Sequence, residues 1–131
     1  MSKFLVVRDR KTGKKVTIAT SSIPREIQPD EWFENGYWRY RPDKGILEPV
    51  MKDYLEGKEL SPYEVRCLAS YIVDYACHIA VMGYLFAPDN EGYRFNVECI
   101  RRLRDLAEKA FTRDDICEMI LAGRDYALDP L

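Results

Sequence analysis

Four residues, Ser61-Pro62-Tyr63-Glu64, constrain the fold of this chain more than any others. A serine that caps the backbone, a proline at the first helical position and a glutamate three residues after the serine make a capping box, which starts a helix. From there Val65, Leu68, Ala69, Ile72, Val73, Ala76, Ile79, Ala80 and Gly83 recur at helical spacing to about Phe86, and Pro88 and Gly92 stop the pattern. The helix changes character on the way. Arg66, Ser70 and Asp74 give its first half a wet side, whereas Ile79 to Phe86 is apolar all round. A helix apolar on every face needs cover on every face. Its second half is therefore either the core of the domain or a surface completed by a second copy or a partner.

Further elements flank this helix. Ile46, Leu47, Val50, Met51, Tyr54 and Leu55 form a helical stripe ending at Gly57, with Pro49 tolerable only in a first turn. A helix over about 94–110 points Val97, Ile100, Leu103, Leu106, Ala107 and Ala110 inward. Its outer face offers Arg101–Asp105, Arg104–Glu108 and Asp105–Lys109 pairs, each worth ~0.3 kcal/mol. Thr112-Arg113-Asp114-Asp115 caps a shorter helix with Ile116, Ile120 and Leu121, ending near Gly123, and the tail has Tyr126, Leu128 and Leu131 with which to dock. At the other end, residues 3–8 and 14–20 are rich in β-branched side chains and flank a turn with Gly13, which predicts a β-hairpin. A lone hairpin is marginal in water, so it must lean on the helices or on another strand. Residues 21–45 are broken by Pro24, Pro29, Gly36, Pro42 and Gly45 and read as irregular. The expected fold is α+β and mainly helical, one domain over residues 1–131. It comprises an N-terminal β-hairpin (1–20), an irregular aromatic-rich linker (21–45) and a bundle of about four helices (46–131).

Composition agrees with a folded globule: of 131 residues, 47% are hydrophobic and 32% charged. The net charge of −2 gives no general attraction to nucleic acid or membrane, although residues 1–20 alone carry +5 and so leave −7 to the remainder. The N-terminus holds too short an apolar run for a secretory signal. The longest nearly apolar stretch, Tyr75 to Ala87, falls short of the roughly 18 residues a bilayer span needs. Cys67, Cys77, Cys99 and Cys117 contain no C-x-x-C pair, so the expectation is a cytoplasmic protein with reduced, buried thiols. No cofactor, metal or membrane is implied.

His78 is the single histidine, with Asp74 one turn before it and Tyr71 three residues further back, all on one helix face. A carboxylate that orients an imidazole prepares a general base, which makes Tyr71, Asp74 and His78 the candidate catalytic set. No nucleophile or glycine-rich loop accompanies them, and a half-buried histidine steadied by a neighbouring acid is the simpler reading. The chain lacks G-x-G-x-x-G, G-x-x-x-x-G-K-[ST] and G-x-S-x-G, which removes the well-known enzyme signatures without excluding an enzyme; the expectation leans toward none.

Two surfaces are better candidates. Trp32, Phe33, Tyr37, Trp38, Arg39, Tyr40 and Arg41 crowd five aromatic rings and two guanidinium groups into one irregular stretch, the residue types that dominate binding hot spots. The same stretch also reads as a lid over the core. Met82, Tyr84 and Phe86 at the apolar end of the central helix extend the candidate interface. The hairpin turn, with Arg10, Lys11, Lys14 and Lys15, suits a phosphate backbone, and Arg101, Arg102 and Arg104 add charge if they share its face. The expectation is a small non-enzymatic interaction module (an adaptor, regulator or inhibitor) that is homo-oligomeric. Its partner is another protein or a second copy of itself; nucleic-acid binding through the hairpin is the alternative, and a small-ligand site on Tyr71, Asp74 and His78 a third.

Overall fold

The structure is a computed structural model that describes residues 4–8, 12–29, 44–86 and 91–126. The protein is mainly helical. The described residues form four helices, α1 (Lys44–Leu55), α2 (Pro62–Phe86), α3 (Glu91–Glu108) and α4 (Arg113–Arg124). Helix α2 is central and packs most extensively against α3, while α4 leans on both and α1 rests on α2.

The local signals that start and stop these helices act as the sequence predicts. Ser61 Oγ accepts the Glu64 backbone N–H at 3.2 Å, and the Ser61 N–H donates back to Glu64 Oε1 at 2.9 Å, so the box ahead of α2 is closed in both directions. Helix α1 ends in a Schellman turn. The Gly57 N–H donates to Tyr54 O at 3.1 Å and the Lys58 N–H to Asp53 O at 3.0 Å, with Gly57 at φ 80°, a conformation that costs any residue with a Cβ. Thr112 caps α4, accepting from the Asp115 N–H, while one Asp115 carboxylate oxygen receives the backbone N–H groups of Phe111 at 2.7 Å and Thr112 at 2.8 Å.

The core forms along one face of α2. Val65, Leu68, Ala69, Ile72, Val73, Ala76, Cys77, Ala80 and Val81 are buried against Cys99, Ile100, Leu103 and Ala107 of α3 and Ile116, Met119 and Ile120 of α4. By length and composition α2 could cross a membrane, yet 61% of its most apolar window is buried inside the protein, as in the core helix of a bundle. Val50 anchors α1. A less expected contribution comes from the irregular part, where short 3-10 turns at Thr20–Ser22 and Arg25–Ile27 place Ile23 and Ile27 in the same core, Ile27 with no exposure at all. Gln28 holds that segment together, its amide Nε2 donating to Thr20 O at 3.0 Å and Ile23 O at 2.8 Å.

Several expectations are corrected. Phe4–Arg8 (β1) and Lys15–Ala19 (β2) run antiparallel, with Val6 opposite Thr17, but Phe4 and Val6 are exposed and neither strand packs substantially on a helix. Among the described residues no substantial packing of this ribbon on the helices supports it, so the hairpin is not supported as part of the fold, and α+β reduces to mainly helical. Pro49 lies in the second turn of α1, because the helix starts at Lys44, and no proline N–H is there to bond the carbonyl four residues back. Ser70, expected on the wet side of α2, is buried. Leu121, expected inside, is 59% exposed, since α4 turns Ile120 and Ala122 inward instead.

The Asp115 cap makes stability pH-dependent in a defined direction. Hydrogen bonds from the Phe111 and then the Thr112 backbone hold its carboxyl below the usual aspartate value. Its contribution is therefore complete above the unfolded-state pKa and is lost as pH falls through the lower folded one. Thr112→Ala is expected to cost ~1 kcal/mol at neutral pH. Thermal melts of wild type and Asp115→Asn should differ most near neutrality and converge in acid; a gap that widens in acid contradicts this assignment.

Candidate functional site

Helix periodicity puts Tyr71, Asp74, Tyr75, His78 and Met82 on one side of α2, the side opposite its core stripe. Tyr71, Asp74 and Tyr75 are half-buried, while His78 is exposed and Met82 is 37% exposed. The Tyr71 and Tyr75 rings meet at 6.2 Å and 44°, and burial pushes the Tyr71 phenol above its ordinary value. One part of the candidate catalytic set is thus an exposed imidazole. A groove described on α1 takes in none of Tyr71, Asp74 or His78. Among the described residues, no group of three or more His, Cys, Asp or Glu side chains is placed to hold a metal ion.

At the apolar end of α2 the all-round pattern resolves into two sides. Ala80 and Val81 are buried, Ile79, Tyr84 and Leu85 are half-buried against the core, and Met82 faces outward. The Tyr84 hydroxyl donates to Ser22 O at 3.4 Å, which ties it to the segment ahead of α1. Trp32, Phe33, Tyr37, Trp38, Arg39, Tyr40 and Arg41 lie outside the described residues, as do Arg10 and Lys11, and of Phe86 only the helical backbone is described.

The basic surface is smaller than the sequence suggests. Lys14 and Lys15 are exposed. Arg101, however, is taken up by Glu26 at 2.6 Å and Glu98 at 2.9 Å. Arg104 turns inward from α3, donating to Gln28 O at 3.3 Å and Cys77 Sγ at 3.5 Å. Two of the three arginines that were to extend a phosphate-binding face therefore hold the irregular segment onto α3.

Sequence reasoning missed a polar cluster between α1 and α4. The Tyr54 hydroxyl and Cys117 Sγ share a hydrogen bond at 3.3 Å, and the Arg113 guanidinium lies 4.3 Å from the Tyr54 ring centroid. Burial first, then the bond to Cys117, pushes the Tyr54 phenol up to about 12, so it stays protonated. Arg113 Nη1 is buried without a hydrogen-bond acceptor, which leaves the ring face as its compensation. The readable signal was the Arg113–Cys117 spacing of one turn on the same helix, but nothing in the sequence pairs that face with Tyr54. The cluster joins α1 to α4. Compared with known proteins, the chain matches no family, no curated protein and no solved structure.

The four thiols separate into two classes. Cys67, Cys77 and Cys99 are fully buried, with burial pushing Cys99 up to about 11, whereas Cys117 is partly exposed. Native protein treated with a thiol-specific chromogenic disulfide should release one equivalent quickly, mapped to Cys117, and the other three only on unfolding. Tyr54→Phe should speed the fast phase. Prompt labelling of Cys67 or Cys77 in the native state is the contrary result.

Proposed function

We propose that this protein is a small non-enzymatic interaction module, an adaptor, regulator or inhibitor, that binds another protein chain and assembles with its own copies. The observation that carries the reading is the outer side of α2. The helix that organises the core also carries half-buried Tyr71 and Tyr75 and exposed His78 and Met82 on the side away from its core stripe, a row of aromatic, imidazole and thioether groups at helical spacing. Such amphipathic groups offer large contact area with few charges to desolvate, and a straight helix face suits a groove or a second helix. Arg39, Arg41 and the aromatic residues of 32–40 belong to the proposed surface by composition. Four free thiols favour a reducing, cytoplasmic setting.

Catalysis by Tyr71, Asp74 and His78 is the weaker reading, because general-base chemistry favours a concave, water-poor site and the imidazole of His78 is exposed. Nucleic-acid binding through Lys14, Lys15 and the rest of the turn loses support from the pairing of Arg101 with Glu26 and Glu98 and the inward turn of Arg104.

A photo-crosslinking residue, benzoylphenylalanine, in place of Met82 tests the interaction reading in cells. The expected outcome is one discrete adduct, absent when the same group replaces the exposed Glu118 of α4. Its mass tells a second copy from another protein. Equal, diffuse labelling at both positions, or none at Met82, rejects the α2 surface.

A further inference from the structure

Helix α1 carries an apolar stripe at the edge of its core face, Leu47 and Met51 resting partly on the core, and the charges that flank it are complementary to themselves. Leu47, Met51 and Leu55 recur every fourth residue, the first two half-buried and Leu55 67% exposed, and they line an open, mainly apolar groove flanked by Glu48, Lys52 and Glu56. Glu48, Lys52 and Glu56 each follow a stripe residue by one, so all lie on the same flank, and all are exposed. In an antiparallel pair of helices like flanks face each other. With the twofold axis level with residue 50, Glu48 of one copy stands level with Lys52 of the second, and Lys52 with its Glu48. The same register interleaves the apolar residues. At 1.5 Å per residue, the two copies of Leu47, Met51 and Leu55 alternate along the seam in steps of about 3 Å. A parallel pairing sets opposite flanks together and leaves Glu48 and Lys52 without each other.

We propose that α1 is a self-association surface, on which a second copy of this chain docks antiparallel through Leu47, Met51 and Leu55 with reciprocal Glu48–Lys52 ion pairs. The inference rests on the homo-oligomeric part of the reading above and assigns it to a helix separate from the α2 surface. Lys52 is available for this role. Its partner within the chain is Glu56 at a distant 4.0 Å, and Glu56 has Lys58 at 3.0 Å. The contact is short. A helix of 12 residues is about 18 Å long, so the pair alone falls below the ~1,200 Å² typical of stable interfaces, and dimerisation is weak, on the order of micromolar or weaker.

Sedimentation of the full chain over a wide concentration range tests this, with melting temperatures to confirm that each variant folds. Wild type should rise from monomer to dimer, and Met51→Glu should stay monomeric throughout. E48K and K52E each oppose like charges at both symmetric positions and should weaken self-association roughly tenfold. An equimolar mixture of those two single variants restores opposite charges across the pair, and should dimerise at least as well as wild type; the double variant E48K/K52E, which restores them in this register, should recover too. Self-association indifferent to these changes, or a mixture no better than its components, overturns the α1 assignment and leaves the interaction reading standing. A wild type that is monomeric at every concentration overturns it as well, and the interaction reading then depends on the Met82 adduct alone.

Discussion

Burial of the inner face of α2 is the interaction on which the rest of the molecule depends. Nine side chains from Val65 to Val81 lose nearly all their exposure there, and α3, α4, α1 and the Ile23–Ile27 segment are each held by contact with that one surface or with its neighbours. At roughly 1.5–3 kcal/mol for each fully buried Val, Leu or Ile, no set of surface ion pairs in this protein approaches that contribution. The capping box at Ser61 fixes where the face begins, and so fixes which residues of α2 look inward and which look out.

Much of this was legible from the sequence because the determining interactions are local. A capping box, a glycine stop and a 3.6-residue period all act within one or two turns, and α2 and α4 begin at the predicted residues. The failures share a cause: each depended on a partner far along the chain. Ile27 sits between two prolines in a stretch without period, and its burial is decided by α2 and α3 rather than by its neighbours. Arg104 fits an outer-face pattern but bends toward the Gln28 carbonyl, 76 residues earlier. Pro49 is tolerated within α1 where local rules forbid it, on the exposed side of a helix whose Val50 is held by the core. The hairpin shows the reverse: its residues have the right local propensity, yet the described side chains of Phe4, Val6 and Thr17 stay exposed.

The candidate surfaces were legible to a different degree. An all-apolar run announces that something must cover it, without saying which side the protein covers itself; the structure divides it, Ala80 and Val81 inward and Met82 outward. The Tyr54–Cys117 contact spans 63 residues and left no trace in composition or spacing beyond one helical turn on α4. Self-complementarity on α1 was present in the order Leu-Glu, Met-Lys, Leu-Glu, but it acquires meaning only once Val50 is known to face the core and Leu55 to face away.

The corner where α2, α3 and α4 meet has two halves that answer to different conditions. Arg66 on α2 donates to Ala107 O at 3.1 Å and Glu108 O at 3.4 Å, the open carbonyl end of α3, and lies 5.4 Å from the Phe111 ring. A guanidinium paired with a helix terminus and a ring has no carboxylate to protonate, so acid leaves that side of the corner intact. The Asp115 side is held by an acid. Acid therefore removes a stabilising contact from the start of α4 and none from the end of α3, so the two sides of one corner report different conditions.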